Sequence, residues 1–459
     1  MHYEKFQDGT VKCIEDEIPF EVPEGWAWCK LNDIYNFIDY RGATPTKITN
    51  GIPLVTAKNV KSGYIDYTID DYISEEEFKE RQQRGISKKG DILFTTEAPL
   101  GNAALADMEK FSAGQRLITF QQYGSKDELI NYVMLMFILS DFFQQQLYVN
   151  KTGSTVAGIK AAILKTLWIP VPPYNEQLRI SNTLKSAINL IDSISKNKEI
   201  LSTSISNTKS KILDLAIRGK IVPQDPNDEP ASVLLERIRA EKEELIKHGK
   251  IKRDKKESVI FKGDDNSYYL RTGGVEESLE DWRFDDLPET WKICCLWELC
   301  DYGDCINVNT EDIAEDAWIL DLEDIEKDTG TVLKKVTKAQ RNSVSTKHKF
   351  HSGQVLYSKL RPYLNKVVLS DADGYCTSEI LPLEFKNCVL PEYARYYLMS
   401  GTFIAYANHC SYGVKMPRLG TTDGKKAIFS LPPLSEQKRI VETIDFCFMQ
   451  LNKISEALA

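Results

Sequence analysis

Pro172-Pro173-Tyr174-Asn175-Glu176-Gln177 returns as Pro432-Pro433-Leu434-Ser435-Glu436-Gln437, and each copy opens a stretch with helical periodicity. After each Glu-Gln the apolar positions step by four and then three: Ile180, Leu184, Ala187, Ile191, Ile194 in the first copy, and Ile440, Ile444, Cys447, Leu451, Ile454, Leu458 in the second. That period of about 3.5 residues predicts a coiled-coil seam. The prolines impose an extended entry. Asn175 or Ser435 then supplies an acceptor for free amides of the first turn, and Glu176 or Glu436 suits its positive end. The first seam continues through Leu201, Ile205, Ile212 and Leu215 until Gly219 stops it, giving a rod of roughly 65 Å.

Working outward, the rods follow a duplicated unit. Val22-Pro23-Glu24-Gly25-Trp26-Ala27-Trp28-Cys29-Lys30-Leu31 aligns without a gap on Leu287-Pro288-Glu289-Thr290-Trp291-Lys292-Ile293-Cys294-Cys295-Leu296, and Gly90-Asp91-Ile92-Leu93-Phe94 on Gly353-Gln354-Val355-Leu356-Tyr357. One domain is used twice. Short β-rich runs at 52–60, 92–96, 117–120, 318–322, 355–358 and 366–369 alternate with Gly, Asp and Asn turns, and helical stretches are expected at 127–147 and 391–406. The fold class is α+β: two repeated, β-rich units with mostly antiparallel or mixed sheets, separated by long helices. The boundaries read as an N-terminal arm (1–21), a first unit (22–173), a helical spacer (174–256), a linker (257–286), a second unit (287–433) and a terminal spacer helix (434–459). Within the spacer a return helix is expected from Ala231 to His248, folded back on the long one to cover its seam.

With 459 residues, 42% hydrophobic and 27% charged, the chain has room for about three domains. Its longest apolar run, 132–139, is too short to span a membrane, and the start lacks a secretory signal, so a cytoplasmic location is expected. Ten scattered cysteines do not make a disulfide framework, and Cys294, Cys295, Cys300 and Cys305 include no Cys-x-x-Cys pair that would suggest zinc. A net charge of −9 argues against indiscriminate coating of nucleic acid but allows local basic loops.

Catalytic motifs are missing from the sequence. Val171-Pro172-Pro173-Tyr174 has valine where an adenine methyltransferase needs a polar residue, so it launches a helix instead. Gly153 to Lys160 and Gly420 to Lys426 lack the Gly-Lys-Ser/Thr ending of a phosphate loop. The acidic pairs Asp321 with Glu323 and Asp324 with Glu326 read as solvated surface. What remains is a set of basic and polar loops suited to DNA. In the second unit these carry Lys359, Arg361, Tyr363, Asn365 and Lys366, then Ser411, Tyr412, Lys415 and Arg418; in the first, Arg41, Thr44 and Lys47, then Lys58, Asn59 and Lys61, then Thr152 and Ser154. Arginine forks to guanine, asparagine to adenine, and lysine neutralises phosphate.

Two such units, each followed by a Pro-Pro-x-x-Glu-Gln helix, resemble the specificity subunit of a type I restriction-modification system. The markers are Pro-Glu-x-Trp at 23–26 and 288–291, the Lys359-Leu360-Arg361-Pro362-Tyr363-Leu364-Asn365 loop, the two helix-opening signatures, and Leu215-Ala216-Ile217-Arg218-Gly219-Lys220-Ile221-Val222-Pro223-Gln224 closing the first rod. The resemblance implies two target-recognition domains held apart by antiparallel coiled-coil helices in pseudo-twofold symmetry, each reading half of a gapped site in double-stranded DNA. It implies a subunit without chemistry or cofactor of its own. Methyltransferase subunits would dock on the helices, near Glu176, Gln177, Arg179, Glu436, Gln437 and Arg439. S-adenosylmethionine, ATP and magnesium would sit on methyltransferase and restriction subunits. The resemblance also implies a further helical segment completing the second spacer, which the sequence does not show before Val22 or after Ala459. A different class, a coiled-coil adaptor that does not read DNA, is separable by whether alanine at Arg361 or Lys415 affects DNA binding.

Overall fold

The computed structural model describes residues 3–6, 8–40, 44–68, 71–124, 129–153, 157–250, 257–280, 286–341 and 344–458. They form two compact units, Met1–Ser195 and Lys196–Ala459.

The first unit rests on a four-stranded antiparallel sheet with the order Tyr35–Asp39, Leu117–Gln122, Ile92–Thr95, Ala103–Leu105. Alternation along these strands sends Ile92, Phe94, Ile118 and Phe120 into one core, where Phe94 stacks on Phe120 at 5.3 Å. Helix α1 (Asn131–Ile138) and the helical segment Asp141–Val149 close this core with Val133, Met134, Ile138, Phe143 and Leu147. A second small sheet joins Ile52–Val55 antiparallel to Tyr72–Ile73 and parallel to Ser112–Ala113. Ala27–Lys30 pairs with Trp168–Val171, Cys29 opposite Ile169, so the strand leading into Pro172 lies beside the opening Pro-Glu-Gly-Trp.

Helix α2 (Tyr174–Ala216) is the long rod, 43 residues without a break. It ends where Gly219 turns at φ 67°; a Cβ there would come within 2.5 Å of Pro288 Cγ, so only glycine lets the chain press this close to the Pro-Glu-Thr-Trp segment. Helix α3 (Ala231–Lys247) follows.

In the second unit the same plan returns. Val367–Leu369, Val355–Ser358 and Ile380–Leu383 form an antiparallel sheet in the order found for the first unit, and Lys292–Cys295 pairs with Ile428–Leu431. The second sheet again contains a parallel pair, Trp318–Leu320 with Gly374–Thr377. Helix α4 (Pro391–Leu398) covers the core with Tyr393, Tyr396 and Tyr397, and α5 (Leu434–Leu458) closes the chain.

Three expectations are revised. Each helical stretch read as continuous is two helices, because Ser140 and Ser400 interrupt it: their hydroxyls accept from Phe143 N and Phe403 N at 3.4 and 3.3 Å, capping Asp141–Val149 and Gly401–His409. The span 257–286, read as a linker, contains a three-stranded antiparallel sheet, Ser258–Lys262, Tyr268–Thr272 and Val275–Ser278, whose Ile260 and Leu270 pack with Ile293, Cys295 and Ile428. Helix α3 leaves Leu190, Ile191 and Ile194 of α2 exposed and meets the end of that helix instead, in one core with Leu213 and Ala216. Leu234 and Leu235 enter the core of the second unit, Arg239 pairs with Glu298 at 2.8 Å, and Lys242 stands 3.9 Å over Trp297. An aromatic face and a buried carboxylate thus help to seat α3.

The seam itself is therefore unevenly used. Ile205 is buried and Ile212 and Leu215 are half-buried, whereas Ile191 and Ile194, with Leu190 beside them, are 60, 58 and 62% exposed. On α5, Ile440 and Ile444 are buried and Met449 and Ile454 are exposed. Within the second unit, Lys209 Nζ on α2 donates to Asn452 Oδ1 on α5 at 2.6 Å, and Ser430 Oγ, on the strand that precedes α5, donates to the Ile217 carbonyl just beyond α2 at 2.7 Å.

Candidate nucleic-acid interface

The loop 358–366 leaves the central strand of the second unit through two left-handed residues, Arg361 (φ 50°) and Asn365 (φ 48°), that bracket the single turn Pro362–Leu364. Such backbone is sparsely populated for residues with side chains and collects at binding sites. It is held by Arg361 N donating to the Pro417 carbonyl at 2.7 Å, and by Leu419 N donating to the Lys359 carbonyl at 3.0 Å. Two loops about fifty residues apart are thus fastened into one surface, the loop 358–366 against the hairpin of Ser411–Tyr412 and Arg418–Leu419.

The expected residues divide sharply on this surface. Tyr363, Tyr412 and Lys415 are exposed, with Val414 and Met416 beside them. Arg361 is half-buried, and its Nε is enclosed without a hydrogen-bond partner among the described residues. Arg418 forks onto Glu379 through Nε and Nη2, at 3.0 and 2.9 Å. Three others turn inward: Asn365 donates to the Met399 carbonyl at 3.3 Å, Lys366 Nζ to the Leu322 carbonyl at 2.6 Å, and Ser411 Oγ to the Ala407 carbonyl at 2.6 Å. Lys359 is half-exposed beside them.

The first unit carries the same device. Its central strand leads into Ala98 (φ 46°) and Pro99, as Val355–Ser358 leads into Arg361 and Pro362, and both pairs lie 263 residues apart (361 − 98 and 362 − 99). Ile159 N donates to the Thr96 carbonyl at 3.0 Å, matching Leu419 with Lys359, and Thr152 forms an antiparallel bridge with Gly158. Beside this, Asn102 Nδ2 donates to the Val60 carbonyl at 3.0 Å and so attaches the loop of Lys58, Asn59 and Lys61. Lys58 is exposed, and Lys61 stands 4.0 Å from Asp66. Asn59 is buried: its Oδ1 accepts from Thr56 N and Oγ1, and its Nδ2 donates to the Asp66 carbonyl. Thr44 accepts from Gln115 Nε2, and Lys47 pairs with Asp71 at 2.6 Å. Arg41 and Ser154 lie outside the described residues.

Sequence reading missed Glu97 and Arg116 in the first unit and Glu379 in the second. The signal was present: carrying the offset of Gly90 and Gly353 forward places Arg116 on Glu379 (353 − 90 and 379 − 116 both give 263).

At the helix openings the glutamines are structural. Gln177 Oε1 accepts from Ile130 N at 2.7 Å and its Nε2 donates to the Pro172 carbonyl at 2.9 Å. Gln437 repeats this with Leu390 N at 2.8 Å and the Cys388 and Pro432 carbonyls at 2.9 and 3.0 Å. Ile130 and Leu390 are the N-cap residues of α1 and α4, and each buried glutamine accepts from the backbone amide of that N-cap residue, one of the amides a helix start leaves free. Neither glutamine faces outward. Glu436 is also buried, accepting from Trp291 Nε1 at 2.9 Å and Gln224 Nε2 at 2.5 Å; burial raises its carboxyl pKa against the pull of those bonds. Arg439 pairs with Asp228 at 2.7 Å. In the first unit Glu176 is half-exposed, Arg179 exposed, and Trp26 Nε1 enclosed without a partner among the described residues.

Three of the four acidic residues are held by Arg341, whose Nη1 reaches Asp321 at 2.6 Å and Glu323 at 3.2 Å and whose Nη2 reaches Asp324 at 2.5 Å, and Glu326 accepts from Thr329 at 2.7 Å. Among the described residues, no group of three or more His, Cys, Asp or Glu is arranged to hold a metal ion. No described helix is long and apolar enough to cross a membrane. The surface offers donors and aromatic faces, which is the chemistry of recognition.

Comparison with known proteins agrees with this duplication. The model of the type I restriction modification DNA specificity domain matches twice, at residues 23–202 and 288–457. The chain is 26% identical to the type I restriction enzyme EcoAI specificity subunit of Escherichia coli, over 98% of this chain and 82% of the relative. It is 24% identical to the EcoEI specificity subunit of the same species, over 99% and 83%. Among solved structures, a chain from work on complex assembly and conformational transition of the type I R-M system superposes with a TM-score of 0.57 at 17% identity, covering 96% of this chain and 94% of that one. The HsdS subunit from Thermoanaerobacter tengcongensis gives 0.52 at 16%, covering 96% and 93%. At those identities the likeness concerns the fold.

Proposed function

The chain belongs to the type I restriction-modification DNA specificity family, and from that premise we propose that it is the specificity subunit of such a complex, each unit reading one half of a gapped, two-part site in double-stranded DNA. The observation that carries this is the repeated loop-and-hairpin surface, present at equivalent positions in both units and coinciding with the two family matches. A net charge of −9 leaves little general attraction for phosphates, so selectivity rests on local contacts and on partners that help hold the DNA.

The helices α2 and α5 act as the spacer, pairing antiparallel in coiled-coil fashion, and as the platform for methyltransferase subunits. The exposed apolar stripe of Leu190, Ile191 and Ile194 supports the platform role, since a solvated α2 would gain by covering it. The chain contributes no chemistry. S-adenosylmethionine is held by methyltransferase subunits that modify adenine N6, and ATP and magnesium by restriction subunits. A coiled-coil adaptor indifferent to DNA is disfavoured by membership of a DNA specificity family.

The test is a map of N6-methyladenine in cells co-expressing this chain with the methyltransferase encoded beside it. Methylation confined to a gapped two-part motif, and lost when the chain is omitted, is the expected result. An assembled complex that methylates no such motif would sink the proposal.

A further inference from the structure

Both units carry an ion pair at one shared node, largely exposed in the first and half-buried in the second, with the charges exchanged. In the first unit Arg116 Nε lies 2.9 Å from Glu97 Oε1. In the second, Arg418 grips Glu379 through its Nε and Nη2 edge. Positions 116 and 379 are equivalent: each immediately precedes a core strand, and each carbonyl accepts from the loop, from Thr96 N at 2.9 Å and from Lys359 N at 3.0 Å. Positions 158 and 418 are equivalent too, bridging Glu97 and Leu360. The node therefore reads Glu97, Arg116, Gly158 in one unit and Leu360, Glu379, Arg418 in the other.

The third position explains how both arrangements fit. A Cβ at Gly158 would lie 3.3 Å from the Thr96 carbonyl and 3.4 Å from Glu97 Cβ, so a side chain at 158 would crowd the loop backbone and the base of Glu97. In the second unit Leu360 carries no charge and the side chain at 418 brings the cation instead. Position 116 or 379 thus presents a cation in one unit and an anion in the other, on one backbone frame, beside the left-handed residue of the reading loop.

A half-exposed pair of this kind adds little to stability, so the fold does not depend on its sign. Base recognition does. A guanidinium whose Nε edge is held by a carboxylate keeps its outer edge directed, and that edge matches the O6 and N7 acceptors of guanine. In Arg418 the outer Nη1 donates to the Met416 carbonyl at 3.3 Å.

Resting on the function proposed above, we propose that this node is a specificity determinant: Arg116 and Arg418 each read a guanine in their half-site, and Glu97 and Glu379 are the positioning residues that aim them. Because the cation stands on the strand entry in one unit and on the hairpin in the other, the two half-sites are read from different sides of the same frame.

The experiment uses the full chain assembled with its methyltransferase. Glu379→Arg combined with Arg418→Glu keeps an ion pair while exchanging its ends, as does Glu97→Arg combined with Arg116→Glu; Arg418→Lys keeps the pair but removes the fork. Each is scored by methylation mapping, DNA titration and thermal unfolding. The expected result is an unchanged unfolding midpoint, a roughly ten- to hundredfold loss of affinity for the original site, and an altered base at one position of the corresponding half-site only. Variants that methylate the original motif with wild-type affinity would make the pair merely structural and overturn the inference, and Arg418→Lys decides the question even if an exchanged variant misfolds. A wild-type complex without a gapped motif would overturn the reading beneath it.

Discussion

Arg361 is the residue on which backbone geometry and recognition chemistry meet. Its φ of 50° favours glycine, yet arginine stands there, anchored by its amide to Pro417 with its Nε lacking a partner among the described residues. Replacing it by glycine relieves the left-handed strain but adds freedom to the unfolded chain, and these terms are of similar size. Arg361→Gly is therefore expected to leave stability within about 1 kcal/mol of wild type while weakening DNA binding by about 1 to 3 kcal/mol. Thermal unfolding and a DNA titration on the same sample separate the two effects, and affinity within twofold of wild type would remove Arg361 from the reading surface. The first unit has alanine at the equivalent Ala98, which offers no polar group to a base, and the cation of its node is Arg116.

Among the elements, the openings of α2 and α5 are the joints that set where each rod starts. Gln437 spans three backbone groups from inside the core, so Gln437→Ala strands the Leu390 amide and is expected to cost about 2 to 3 kcal/mol in urea unfolding. A loss under half that figure would show that water or a neighbour takes over its bonds. The Asp228 tie to α5 is electrostatic. Its carboxyl is held below the usual aspartate range, first by the hydrogen bond from Arg439 and also by Ser435. A depressed pKa means the native state holds the proton less tightly than the unfolded chain. This stabilisation is fully present above the ordinary value of 3.8 and is lost as pH falls through the lower native value. Asp228→Asn is expected to cost about 1 kcal/mol at pH 7 and to flatten the acid limb of a stability-against-pH curve. An unchanged limb would assign the acid sensitivity elsewhere.

For the whole molecule, the apolar surface left on α2 is the feature that folding of the chain does not use. Substituting Leu190, Ile191 and Ile194 together by serine is expected to change stability by only about 0.5 kcal/mol per site, since all three are solvated. The same variant should fail to co-purify with the methyltransferase. Retained assembly at wild-type yield would place the docking platform elsewhere on the chain.

The sequence by itself determined the duplication, the two rod openings and the α+β class of the units, because these depend on local periodicity, proline and glycine placement, and a repeat at nearly constant offset. It did not reveal that Asn59, Asn365, Gln177 and Gln437 turn inward, since a polar side chain looks the same in a sequence whether it meets water or a buried amide. Nor did it reveal the helix breaks at Ser140 and Ser400, where a cap competes with continued periodicity. The destination of α3 was decided by tertiary structure, because its stripe fits any apolar partner and only the fold places Trp297 and Glu298 within its reach. The charge-exchanged node was decided there as well. Glu97 and Arg116, like Glu379 and Arg418, are far apart along the chain, and an ion pair is a statement about distance that only the folded backbone makes.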